Sequence, residues 1–135
     1  MTLLRKIDHL GIAVRSLEEA LPKWTQGLGF RLLRTEVVEG QKVKVAVLED
    51  ESEHIELLEP TSPDSPVAKF LESRGEGIHH TCFLVEDIRA TLATLKERGF
   101  RLVNETPVQG AGGCLVAFLH PKSTSGSLIE IKEIP

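Results

Sequence analysis

The chain repeats itself. IDHLGIAVRSLEEAL (residues 7–21) lies over IHHTCFLVEDIRATL (78–92) at an offset of 71, and LGFRLLRTE (28–36) lies over RGFRLVNET (98–106) at 70. HIELLEP (54–60) resembles LIEIKEI (128–134) at 74. Three matches in the same order and at nearly constant spacing mark two copies of one unit of about 70 residues. Such a chain is confined to folds that use one supersecondary unit twice.

Each copy has the same internal order. A strand rich in branched apolar residues opens it (7–14; 78–85) and a helix follows. In the second copy Asp87 caps the helix, Ile88, Leu92 and Leu95 form its apolar stripe, and Gly99 ends it. In the first, Ser16 and Glu19 suit a capping box, while Pro22 removes a helix hydrogen bond and predicts a kink or a late start. Strands are predicted near 30–36, 43–49 and 53–59, matched by 100–105, 114–119 and 128–133. The order is β-α-β-β-β, twice. Ser65, Pro66 and Gly75 mark the cap, first position and end of a joining helix. GAGG (110–113) and HPKSTSGS (120–127) read as loops. The expected architecture is α+β: two tandem βαβββ modules forming a curved eight-stranded sheet. Residues 1–135 make one domain, with module one at about 5–60, a linker helix at 65–75 and module two at about 77–133.

Composition narrows the function classes. With 41% hydrophobic and 27% charged residues, the chain reads as a soluble globular protein. A formal net charge of −4 argues against nucleic-acid binding, which needs a basic surface, though a local basic patch can still hold a phosphorylated small molecule. No apolar run approaches the ~18 residues of a membrane span. MTLLRKIDHL enters a strand pattern without a signal-peptide cleavage site. Cys82 and Cys114 stand far apart, outside any C-x-x-C arrangement, so a disulfide framework is not expected. These features point to the cytoplasm.

The chemistry lies in the polar residues of the strands. Alternation puts Leu10, Ile12 and Val14 on one face and Ile7, His9, Gly11 and Ala13 on the other. His80 takes the place of His9 in the second copy, and Glu56 and Glu130 correspond in the final strands, each between apolar neighbours. One histidine in a strand is more often a satisfied core imidazole than a ligand, and one such glutamate more often faces water from an edge. Two of each at equivalent positions reverse that weighting, because a carboxylate among Ile and Leu is costly unless paired or bound. His9, Glu56, His80 and Glu130 therefore form a candidate four-ligand set for a divalent ion. His79 aligns with Asp8 and should face the other way; His54 and His120 have no counterpart and read as structural.

These features resemble the vicinal oxygen chelate superfamily, whose paired βαβββ modules form an open cup around a metal. ELLEPTSPDSPVAKFLESRGEGIHH (56–80), GAGG (110–113) and FLHPKSTSGSLIEI (118–131) are similar, more narrowly, to the methylmalonyl-CoA epimerase family, over about residues 6–133. The resemblance implies the same four metal ligands, with Glu56 where some members carry glutamine, and a metal that is cobalt, manganese, nickel, zinc or magnesium. It also implies an acyl-CoA substrate, a homodimer, and removal of the C2 proton of (R)- or (S)-methylmalonyl-CoA through a metal-stabilised enolate. Inversion needs two proton-transfer groups. Glu130 is one. Some members carry a glutamate inside the strand at 43–49; here Val43, Lys44 and Val45 stand there, and Glu39 in the preceding turn is the substitute. Lys44 and His54 are fallbacks for that role. Gln41 is expected to orient the substrate, and Lys122 and Ser123 to hold its carboxylate or a coenzyme A phosphate. A glyoxalase-type lyase on the same cup and a metal-free resistance (binding) protein are the alternatives. An extradiol dioxygenase, with two His and one carboxylate on iron, fits less well.

Overall fold

A computed structural model describes residues 3–135. Two compact units divide the chain: His9–His79 form one, and the N-terminal segment through Asp8 forms the other with His80–Pro135. Among the described residues there are eight strands, and both βαβββ modules are present.

In the first module the elements are β1 (Ile7–Ala13), α1 (Leu17–Pro22), β2 (Arg31–Val38), β3 (Val43–Glu49) and β4 (His54–Pro60), with strand order β2-β3-β4-β1. The β2–β3 and β3–β4 pairs are antiparallel hairpin partners, whereas β1 and β4 run parallel, the long crossover between them carrying α1, β2 and β3. One face is apolar: Val14, Ala46, Leu48, Ile55 and Leu57 pack with Leu17 and Ala20 of α1. Ser16 caps α1 by accepting the Glu19 N–H at 3.2 Å. Pro22 neither delays nor sharply breaks this helix. Lys23–Gly27 continue it as a π-helix, with the Leu28 N–H reaching the Lys23 carbonyl at 3.0 Å, a wider turn that absorbs the missing proline donor.

The linker helix α2 (Pro66–Arg74) has the expected limits: Ser65 Oγ accepts from Val67 and Ala68, Pro66 takes the first position, and Gly75 closes it at φ 79°.

The second module contains β5 (Gly77–Val85), α3 (Ile88–Glu97), β6 (Val108–Gln109), β7 (Leu115–Leu119) and β8 (Ile129–Glu133), ordered β5-β8-β7-β6. Val85, Ala117, Leu119 and Ile131 pack under Ile88, Leu92 and Leu95. The strand expected at 100–105 is reduced to an isolated bridge between Leu102 and Leu119, flanked by the Val103 N–H to Phe118 carbonyl bond at 2.9 Å, and the next regular strand is β6. Side chains compete for the ladder there. Asn104 Oδ1 accepts the Phe118 N–H at 2.8 Å and Ser123 Oγ accepts that of Arg101 at 2.8 Å, taking donors a regular strand would give to carbonyls.

Candidate metal centre

The metal-ligand candidates form one pair in each unit. Glu56 on β4 is the register partner of Gly11 on β1, so His9, two residues before Gly11, projects from the same face. Both side chains are buried, and His9 Nδ1 lies 3.4 Å from Glu56 Oε2. In the second unit Glu130 on β8 is the partner of Cys82 on β5, which puts His80 on the Glu130 face. His80 is 5% and Glu130 6% exposed, with Nε2 and Oε1 3.0 Å apart. The Phe118 ring, directly across from Glu130 on β7, stands edge-on to His80 at 5.5 Å between centroids.

An imidazole and a carboxylate buried side by side satisfy each other's hydrogen-bonding demand, which separate burial would leave unmet. Their spacing has a second reading. Two ligand atoms each ~2.0–2.2 Å from one ion sit about 3.0–3.5 Å apart. Each pair thus offers a nitrogen and an oxygen at the separation adjacent ligands require, from residue types suited to a divalent ion.

The remaining histidines make other contacts. His79 packs against Phe70 of α2, ring centroids 5.1 Å apart in a T-shaped arrangement. His54 Nε2 is 3.3 Å from Glu49 Oε1, and His120 Nδ1 accepts the Lys122 N–H at 3.1 Å. Glu39 and Gln41 lie in the single 3₁₀ turn Glu39–Gln41 between β2 and β3, Glu39 exposed and Gln41 half-buried. Among the described residues the buried Gln41 Nε2 has no hydrogen-bond partner. Lys44 is exposed, with Val37 and Glu59 as its register partners. Lys122 and Ser123 lie in the turn Pro121–Ser123; Lys122 is exposed, and the Ser123 hydroxyl already accepts from Arg101.

Two contacts absent from the sequence reading lie close by. Glu59 Oε1 accepts the Leu17 N–H at 2.7 Å and Glu133 Oε2 accepts the Ile88 N–H at 3.0 Å, so each module caps its helix from its last strand. The 74-residue match that pairs Glu56 with Glu130 also pairs Glu59 with Glu133 and was the available signal.

Duplicated βαβββ modules, each with one buried His–Glu pair, define the class. The chain belongs to the Glyoxalase/Bleomycin resistance protein/Dioxygenase superfamily, whose family model matches residues 8–118. The chain is 41% identical over 130 residues to "Uncharacterized protein YqjC" of Bacillus subtilis, covering 96% of this chain and 93% of that one. It is 37% identical to the ethylmalonyl-CoA/methylmalonyl-CoA epimerase of Cereibacter sphaeroides, covering 98% of this chain and all (100%) of the relative. A solved methylmalonyl-CoA epimerase in complex with methylmalonyl-CoA and NH4+ superposes with a TM-score of 0.91 at 38% identity, covering 98% of this chain and 95% of that one. No helix among the described residues is long and apolar enough to cross a membrane.

Proposed function

We propose that the chain epimerises (R)- and (S)-methylmalonyl-CoA. The observation that carries this reading is the buried His–Glu pair in each module, in a chain matched nearly end to end by epimerases. His9, Glu56, His80 and Glu130 are the four ligands of one divalent ion, cobalt, manganese, nickel, zinc or magnesium, the imidazoles favouring the transition metals and the carboxylates the harder ions. When bound, the ion supplies Lewis-acid stabilisation of several kcal/mol for negative charge on the substrate oxygens. The ligand assignment rests on the repeat and on each pair's own geometry.

The chain's own residues move the proton. Glu130 accepts the C2 proton of one epimer as its carboxylate, and as the acid returns a proton to the same carbon. Burial beside Phe118 limits competition from water. The second proton-transfer group is a carboxylate of the β2–β3 hairpin, where Glu39 is the candidate in the turn. Gln41, with its unpartnered amide donor, orients the acyl group, and Lys122 and Ser123 take the substrate carboxylate or a coenzyme A phosphate. The protein works in the cytoplasm and as a homodimer, and for the dimer the exposed Leu32, Leu33 and Val37 along β2 offer an apolar surface.

The test is incubation of the metal-loaded protein with one epimer in deuterated water. Deuterium should enter C2 as the other epimer accumulates. If no deuterium enters from either epimer, the epimerase reading fails and methylglyoxal with glutathione becomes the substrate pair to assay.

A further inference from the structure

Resting on the epimerase reading, we propose that the second proton-transfer group is Glu36 on β2 rather than Glu39 in the turn. Strand register carries this assignment. Gly11, Glu56, Val47 and Arg34 are successive partners across β1, β4, β3 and β2, and Ala13, Leu58, Val45 and Glu36 form the next row. Side chains in one row share a face, so Glu36 and Arg34 stand on the face that bears His9 and Glu56. The opposite face is the one that packs α1 through Ala46, Leu48 and Leu57.

The floor between the two carboxylates is apolar. Val43, Val45 and Val47 are 2%, 2% and 5% exposed, in the strand where the family resemblance leads one to look for a glutamate. Glu36 is the cross-strand partner of Val45, which returns a carboxylate to the same row one strand farther out. Two strand spacings and a two-residue offset put the Glu36 and Glu56 Cα atoms about 12 Å apart.

Burial and pairing agree. β2 leaves Leu33, Thr35 and Val37 exposed, yet the Glu36 side chain is only 29% exposed. Arg34 Nε lies 3.1 Å from Glu36 Oε1 and holds the carboxylate in one orientation. Glu39 lies beyond Val38, the last ladder residue of β2, about 10 Å farther along the strand direction, and is exposed.

The step balances without a co-reactant. With one epimer, the C2–H bond breaks, its proton passes to the Glu36 carboxylate, and the electron pair delocalises onto the thioester and carboxylate oxygens. Glu130, in its acid form, then delivers a proton to C2. With the other epimer the two glutamates exchange roles.

The experiment uses Glu36→Gln in the full chain, metal-loaded, with each epimer supplied separately in deuterated water. Epimerisation should fall about 10²–10⁴-fold. Exchange at C2 should persist for the epimer whose proton Glu130 removes and vanish for the other, with metal affinity unchanged. Glu36→Asp, which keeps a carboxylate at shorter reach, should restore part of the lost exchange. Near wild-type epimerisation by Glu36→Gln overturns the proposal. So does equal loss of exchange from both epimers, or one-sided loss in Glu39→Gln instead. A wild-type protein inert toward both epimers sinks the epimerase reading itself, a result distinct from any variant-specific loss.

Discussion

His79 and His80 are chain neighbours with different surroundings. Alternation along β5 turns His80 toward Glu130, while His79 lies against Phe70 of α2. His80→Ala should weaken divalent-ion binding by at least the ~10–100-fold that loss of a ligand's supporting partner costs. His79→Ala should leave metal affinity intact and lower only the melting temperature. Calorimetric titration of both variants with Mn²⁺ or Co²⁺ decides between them. The opposite result would mean a one-residue slip of β5, which exchanges its faces. Gly110 poses a steric question. A Cβ there would stand 3.0 Å from both Val116 methyl carbons, and Val116 is 2% exposed on β7. Gly110→Ala should cost ~1–3 kcal/mol through overpacking, read from denaturant unfolding.

Strands β4 and β8 each present carboxylates to two surroundings. Glu56 and Glu130 pair with histidine, while Glu59 and Glu133, three residues on, receive the first helical N–H of α1 and α3. A charge-assisted bond at a helix N-terminus is favoured twice, by the donor left without an intrahelical partner and by the helix dipole. Glu133→Gln should therefore destabilise the fold by about 1–2 kcal/mol without changing metal affinity, measured by thermal unfolding and titration. The β2–β3 turn is held from outside. Lys42, at φ 55°, pairs with Asp64, and hydrogen bonds from Lys42 and then Ser62 push the Asp64 carboxyl down from 3.8 to about 2. A lowered carboxylate pKa contributes stability that is full above the unfolded value and disappears as pH falls through the folded one, here between about 4 and 2. Lys42→Met should return Asp64 toward 3.8, which carboxyl NMR titration reads directly.

If the two His–Glu pairs hold one ion, metal and folding are linked. Removing it with a chelator should lower the melting temperature, and adding it back should restore the loss, worth ~2.7 kcal/mol when the free ion stands at a hundred times its dissociation constant. His80→Ala should be nearly indifferent to the chelator.

Much of this architecture could be read from order along the chain, because its signals are local. Helix caps at Ser65 and Asp87 act over two or three residues, and period-two alternation decides which strand residues face together. The repeat then carried His9 onto His80 and Glu56 onto Glu130 without any contact being known. Other features depend on which strands become neighbours. Asn104 interrupts an expected strand only because Phe118 lies beside it, and Pro22 widens a helix that the packing of Leu17 and Ala20 already holds in place. Glu36 is a charge in an edge strand until cross-strand register aligns it with Val45 and places it on the face of Glu56. Alternation is a property of one strand, whereas register joins residues distant in the chain, so the histidine–glutamate pairs were legible from the repeat and the carboxylate on β2 was not.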